Sequence, residues 1–158
     1  MKKLVILSFI LIFFLSCSKE PVKNQLLDVK IDGQYFSFNG TAEKYTDYVN
    51  DQKSAYDYQI YNHDRHSFLI QAYDNTFTKV IFPFPEFSAQ YILQLEGGQS
   101  KTYQAVSGQL RILSEDHGNL RGDFNFKAKN VLDAQDSVMI TEGYFDIYLD
   151  AYDRTFPK

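Results

Sequence analysis

Tryptophan is absent from this 158-residue chain, and cysteine occurs once, at Cys17. One Cys rules out an intrachain disulfide, and with it the stapled scaffolds of small secreted domains. Basic residues are also short, 16 against 20 acidic, which sets the formal net charge at -4. Without clustered Lys or Arg the chain lacks a footprint for nucleic acid or anionic lipid headgroups. A phosphate-cradling Gly-rich loop and a Ser-centred nucleophile elbow are missing as well. Outside the first 16 residues there is no apolar run of membrane-spanning length and no helical period.

The first 16 residues read as an export signal. Lys2 and Lys3 form a basic start, and Leu4 to Leu15 is an apolar run broken only by Ser8. At ~1.5 Å per residue the run covers roughly 18 Å of a ~30 Å hydrocarbon core, too little to span it. Phe14-Leu15-Ser16-Cys17 follows. It resembles the lipobox of bacterial lipoproteins, in which a small residue precedes a Cys that is acylated and becomes the mature N-terminus. Ser16 and Cys17 match that pattern, and Phe14 stands where Leu is commoner. Several acyl chains on Cys17 would replace a transmembrane segment as the membrane anchor. Ser18 in place of Asp implies, by the same resemblance, sorting to the outer membrane. Lys19-Glu20 leaves open whether the domain faces the periplasm or the cell surface.

Loss of residues 1 to 16 removes Lys2 and Lys3 and no acid, so 142 residues remain with 14 basic and 20 acidic side chains. The expected organisation is a signal over 1–16, a lipidated N-terminus and tether over 17–27, and a single all-β domain over 28–158. Alternation of apolar and polar residues carries the fold class. In Leu120-Arg121-Gly122-Asp123-Phe124-Asn125-Phe126-Lys127-Ala128 every second residue suits a core and the others suit water. Gly108 to Ile112 alternates likewise. From Ser137 to Asp150, Val138 and Ile140 point inward first, and Gly143, Phe145, Ile147 and Leu149 then take over. That change of phase predicts a bulge near Thr141 to Gly143, with Gly143 supplying backbone freedom.

Asp32-Gly33 predicts a two-residue hairpin turn between Val29-Lys30-Ile31 and Gln34 to Phe38. Asn62 to Arg65 predicts a second, between Tyr56 to Ile60 and Phe68 to Ala72. Pro83 and Pro85 place the strand around Phe82 at a sheet edge. Gly97-Gly98 closes a strand over Tyr91 to Leu95, and Thr41 to Lys53 reads as a loop or ragged edge strand. The total is about nine strands with mostly meander connections. They form an antiparallel β-sandwich or flattened barrel, which periodicity does not distinguish. The expected core is Phe36, Phe38, Ile60, Phe68, Ile70, Phe82, Leu93, Leu110, Ile112, Phe124, Phe126, Phe145 and Ile147.

Candidate chemistry is sparse. His63-Asp64-x-His66, with His117 far off, has the donors of a zinc site, but a polar hairpin tip explains the same residues. Asp116-His117-Gly118-Asn119 is turn chemistry before it is a dyad. Glu142, Asp146 and Asp150 fall near one face of the last strand, where paired carboxylates for glycoside hydrolysis could sit. Strand alternation accounts for them equally as a wet face, so no catalytic residue, metal or cofactor is assigned. An envelope hydrolase is the third-ranked reading. The surplus is tyrosine. Tyr144, Tyr148 and Tyr152 have outward parity on or after the last strand, and Tyr45, Tyr48 and Tyr61 join them elsewhere. Such side chains suit protein interfaces and sugar faces, whereas ordinary cross-strand pairing is the plainer explanation. A lipocalin-like pocket lacks its Gly-x-Trp signature.

The segments Ser107 to Ile112, Gly122 to Ala128 and Ile140 to Phe145 resemble small uncharacterised lipoproteins of the Bacteroidota. The hairpin at Ile31-Asp32-Gly33 and the lipobox at Cys17 are similar to their N-terminal ends. The resemblance implies an outer-membrane lipoprotein with an all-β domain and, beyond Cys17, no functional residue. The expected function is a lipid-anchored accessory or protein-interaction module of the cell envelope. A glycan or small-ligand module using the outward tyrosines is the alternative. The partners expected are the membrane, through Cys17, and an envelope protein or glycan, with nucleic acid excluded.

Overall fold

The computed structural model describes residues 23–157, so the lipobox and the acylation expected at Cys17 lie outside the described residues. Ten strands follow in order: β1 (Gln25–Ile31), β2 (Gln34–Asn39), β3 (Thr41–Val49), β4 (Gln52–Tyr61), β5 (His66–Asp74), β6 (Ile81–Pro83), β7 (Phe87–Gln94), β8 (Ser100–Asp116), β9 (Asn119–Asn130) and β10 (Ser137–Phe156). A single 3₁₀ turn, Glu96–Gly98, separates β7 from β8. The architecture is all-β, as alternation required.

Hydrogen-bonded neighbours run β10, β3, β4, β5, β7, β8, β9 and back to β10, so the sheet closes on itself as a flattened barrel. Seven strands of alternating direction make an odd ring, and an odd ring closes with its first and last members pointing the same way. The closing pair β3 and β10 is accordingly parallel, from Ala42 against Leu149 to Val49 against Phe156. Ring closure leaves few edges to attract other strands. β10 is long enough to serve two partners along one side, β1 over its first half and β3 over its second. β8 does the same with β7 and β6.

Gly40 makes the handover from β2 to β3 possible. Its amide donates to the Gln25 carbonyl at 2.7 Å. A Cβ there would sit 2.5 Å from Ile147 Cδ1 and 3.2 Å from Leu27 Cβ. Only a residue without a side chain lets the chain cross so near β1 and β10.

The barrel interior is packed with side chains. Phe68, Phe82, Phe124, Phe126 and Phe145 are among the largest fully buried residues, together with Ile60, Ile70, Leu110, Leu120, Ile140 and Ile147. Each such side chain contributes about 1.5–3 kcal/mol on leaving water. Stacked rings link neighbouring strands along the inner surface: Phe68 to Tyr91 at 5.2 Å, Tyr91 to Tyr103 at 5.5 Å, Phe124 to Phe145 at 6.4 Å.

Several expectations need correction. The stretch 41–53 is no ragged edge: β3 lies inside the sheet between β10 and β4. Its inward Lys44 hides the apolar pattern, because the ammonium lies 3.8 Å from the Tyr56 ring centroid and 2.8 Å from Glu115. β1 begins at Gln25, within the stretch read as tether, and Leu27 is fully buried. The last strand runs on past Asp150 to Phe156. Phe36, Phe38 and Leu93 are only partly buried, packed against the core from its rim.

The bulge in β10 lies where the phase change placed it, between Ile140 and Gly143. The positive φ, however, belongs to Glu142 at 48°. Gly143 serves a different end: a Cβ there would stand 2.6 Å from three atoms of the Phe124 ring. The hairpin turn Asp32-Gly33 has φ of 47° and 83°, both positive as an Asp-Gly turn requires. β6 pairs only with β8, which makes it the edge its prolines called for.

Candidate functional site

The three histidines do not converge. His66 turns toward the barrel rim, where its Nδ1 lies 2.7 Å from the Tyr91 hydroxyl and its ring 4.5 Å from that of Phe36. His63 leans outward against Tyr61, centroids 5.1 Å apart. His117 occupies the β8–β9 turn, its side chain 92% exposed. Among the described residues no group of three His, Cys, Asp or Glu is placed to share a metal ion.

Two of the three candidate carboxylates of β10, Glu142 and Asp146 but not Asp150, are engaged by cations. Glu142 meets Lys30 at 2.7 Å, and Asp146 meets Arg121 at 3.1 Å while also accepting from the Asn24 amide. Two carboxyls have shifted pKa values, and both are lowered. Asp136 does so through hydrogen bonds from Lys101 and Asn130. At Asp74 burial pushes upward, but hydrogen bonds from the Thr76 hydroxyl and from backbone N–H groups of Thr76, Lys79 and Phe77 outweigh it. A general acid for glycoside hydrolysis needs the opposite shift.

The outward tyrosines of β10 do not form one platform. Successive members lie four residues apart, roughly 13 Å at ~3.3 Å per residue. Tyr144 sits between Asp28 of β1 and Asp123 of β9. Tyr148 lies beneath the Lys23 ammonium, 4.4 Å away, and beside Gly118. Tyr152 alone meets another outward tyrosine, stacking on Tyr45 at 5.4 Å.

That stack borders the outward face of β3, β4, β5 and β7. Strand pleating sends Glu43 and Tyr45 outward from β3, Asp57, Gln59 and Tyr61 from β4, Ser67, Leu69, Gln71 and Tyr73 from β5, and Ser88, Gln90 and Ile92 from β7. Register lines them up in rungs. Glu43, Gln59, Gln71 and Ser88 make one, and Thr41, Tyr61, Leu69 and Gln90 make the next. Between them lies an open groove of about 360 Å³, lined among others by Glu43, Gln59, Tyr61, His63, Ser67, Leu69, Gln90 and Ile92.

Glu43 anchors one end of the groove. Its two carboxylate oxygens accept from the hydroxyls of Tyr45 at 2.7 Å and Tyr61 at 3.0 Å. The bond to Glu43 pushes the Tyr45 hydroxyl up to about 12. Burial, then the Glu43 bond, raises Tyr61 as well. Both phenols therefore stay protonated and hold the carboxylate in place. Arg154 closes the adjoining edge, binding Asp47 at 2.8 Å and Asp57 at 2.9 Å with its guanidinium 4.2 Å from the Tyr45 ring. The outward positions of β3, β4, β5 and β7 named above include no Lys or Arg, whereas β9 turns Arg121, Lys127 and Lys129 outward.

Sequence reasoning named Tyr45, Tyr61 and Tyr152 as outward tyrosines, but missed Glu43 and the glutamines. The signal was present as parity: Gln59, Gln71 and Gln90 each stand one residue from a core position. Register alone showed that they gather. No protein-family profile, no curated protein and no solved structure matches this chain.

Proposed function

We propose that this chain is a lipid-anchored, non-catalytic β module of the bacterial outer membrane, held by acyl chains on Cys17. It works by binding an envelope partner through the outward face of β3, β4, β5 and β7. The anchor rests on Phe14-Leu15-Ser16-Cys17 and on the likeness to small Bacteroidota lipoproteins. The observation that carries the binding role is the groove: half-buried, largely uncharged side chains from four adjacent strands, gathered over a rigid core. Such a surface is preorganised, which lowers the ordering cost of association.

A hydrolase is the weaker reading. Asp146 and Glu142 are tied to cations, and the histidines stand at separate places on the fold. An interior ligand site is also disfavoured, because aromatic and aliphatic side chains pack the barrel.

Metabolic labelling with an alkynyl palmitate, followed by fractionation of the envelope, tests the anchor. The native chain should carry label and sediment with the outer membrane, and Cys17→Ser should lose both. Label or membrane retention in Cys17→Ser contradicts the anchor. Replacing Gln59 and Gln71 together by Arg tests the face. It should abolish partner binding at unchanged melting temperature, whereas Asn125→Arg on β9 should leave binding intact.

A further inference from the structure

We propose that the groove on β3, β4, β5 and β7 takes a neutral glycan chain, a proposal that rests on the binding role assigned to that face. Three features select this chemistry. Gln90 lines the groove and Gln71 stands on the neighbouring rung of the same face; both side chains are half-buried and make no hydrogen bond to another protein group among the described residues. Each free amide offers two N–H donors and a carbonyl acceptor, the mixed pattern that sugar hydroxyls satisfy. The Tyr61 ring and Ile92 add flat and apolar surface for the C–H faces of sugar rings.

Charge narrows the choice. Glu43 carries a formal negative charge, and the outward positions of these strands bring no Lys or Arg to balance a polyanion. A sulfated or phosphorylated polymer would meet repulsion here and attraction at Lys127 and Lys129 of β9. A basic peptide would want several free carboxylates, but Asp47 and Asp57 are already paired with Arg154. A protein partner of ordinary size needs roughly 800 Å² per side around an apolar centre. Here Gln59 and Gln90 break up a largely apolar lining with amides. From β3 to β7 the face spans three interstrand steps, ~14 Å at ~4.8 Å each, which suits a chain of sugars better than a single ring.

Affinity electrophoresis of the full chain in non-ionic detergent tests this directly, in native gels cast with dextran, yeast mannan, galactomannan, xyloglucan or heparin. The expected result is retardation by at least one of the four neutral polymers and free migration in heparin. Tyr61→Ala and the pair Gln71→Ala and Gln90→Ala should each weaken retardation at least tenfold with unchanged far-ultraviolet circular dichroism. Asn125→Ala should match the native chain. Free migration in all four neutral gels overturns the proposal, as does stronger retention by heparin, or retention that survives both groove variants. Crosslinking from Gln71 to an envelope protein, with no retention in any gel, would refute the glycan while leaving the binding face standing. Failure of both would remove the face itself.

Discussion

Tyr45 and Tyr152 stack across the parallel pair of β3 and β10, ring centroids 5.4 Å apart and planes 26° from parallel. Register places them directly opposite each other, so the stack clasps the strands that close the ring. A double-mutant cycle of Tyr45→Ala and Tyr152→Ala should give a coupling energy of about 0.5–1.5 kcal/mol. Coupling indistinguishable from zero in urea unfolding would mean that the stack adds nothing to closure.

Gly143→Ala should be costly although Ala is ordinarily the better-tolerated residue. The added methyl group would meet three Phe124 ring atoms at 2.6 Å. Overpacking of this kind costs about 1–3 kcal/mol. Shrinking the ring in Gly143→Ala with Phe124→Leu should recover part of the loss relative to the sum of the single variants. Strict additivity in thermal unfolding would show that the two positions do not meet.

Asp74, buried to 2% exposure, organises the connection that leads to β6. Its Oδ1 accepts from Thr76 N–H at 2.8 Å and Phe77 N–H at 3.1 Å, and its Oδ2 from Lys79 N–H at 3.0 Å. Asp74→Ala should cost about 1–3 kcal/mol by removing the charged acceptor that these backbone donors share. Its lowered pKa gives a pH signature. The contribution is present above the ordinary carboxyl value of 3.8 and fades as pH falls through the lower folded value. Asp74→Ala should erase that part of the acid transition, seen by following unfolding against pH.

His66 should make the domain less stable in mild acid. Burial, then the charge of Arg65, lowers its proton affinity from the ordinary 6.5. The unfolded chain therefore takes up a proton first as pH drops below 6.5, so stability falls there and levels off once the folded state protonates too. His66→Gln should flatten the melting temperature across that window. An unchanged slope in His66→Gln would assign the effect to other groups.

Strand alternation made the fold class legible, because Leu120 to Ala128 and Phe145 to Leu149 each bury one parity. The Asp32-Gly33 hairpin, the β10 bulge and the edge position of β6 were legible for the same reason: local chemistry decides them. β3 was not. Its inward Lys44 is neutralised by Glu115, more than seventy residues away, and stacked on Tyr56, partners that only the closed ring supplies. The role of Gly143 was misread as conformational, since the ring above it comes from β9. The groove was invisible for a related reason. Glu43, Gln59, Gln71 and Gln90 look like any solvent-facing residues until register sets them side by side.

Site-specific photo-crosslinking in living cells tests the binding face most directly. Gln71, on the groove side, and Asn125, on the outward face of β9, would each be replaced in turn by p-benzoylphenylalanine and irradiated. A discrete adduct from position 71 and none from position 125 is the predicted result. Equal adducts from both positions, an adduct from 125 alone, or none from 71 would contradict it.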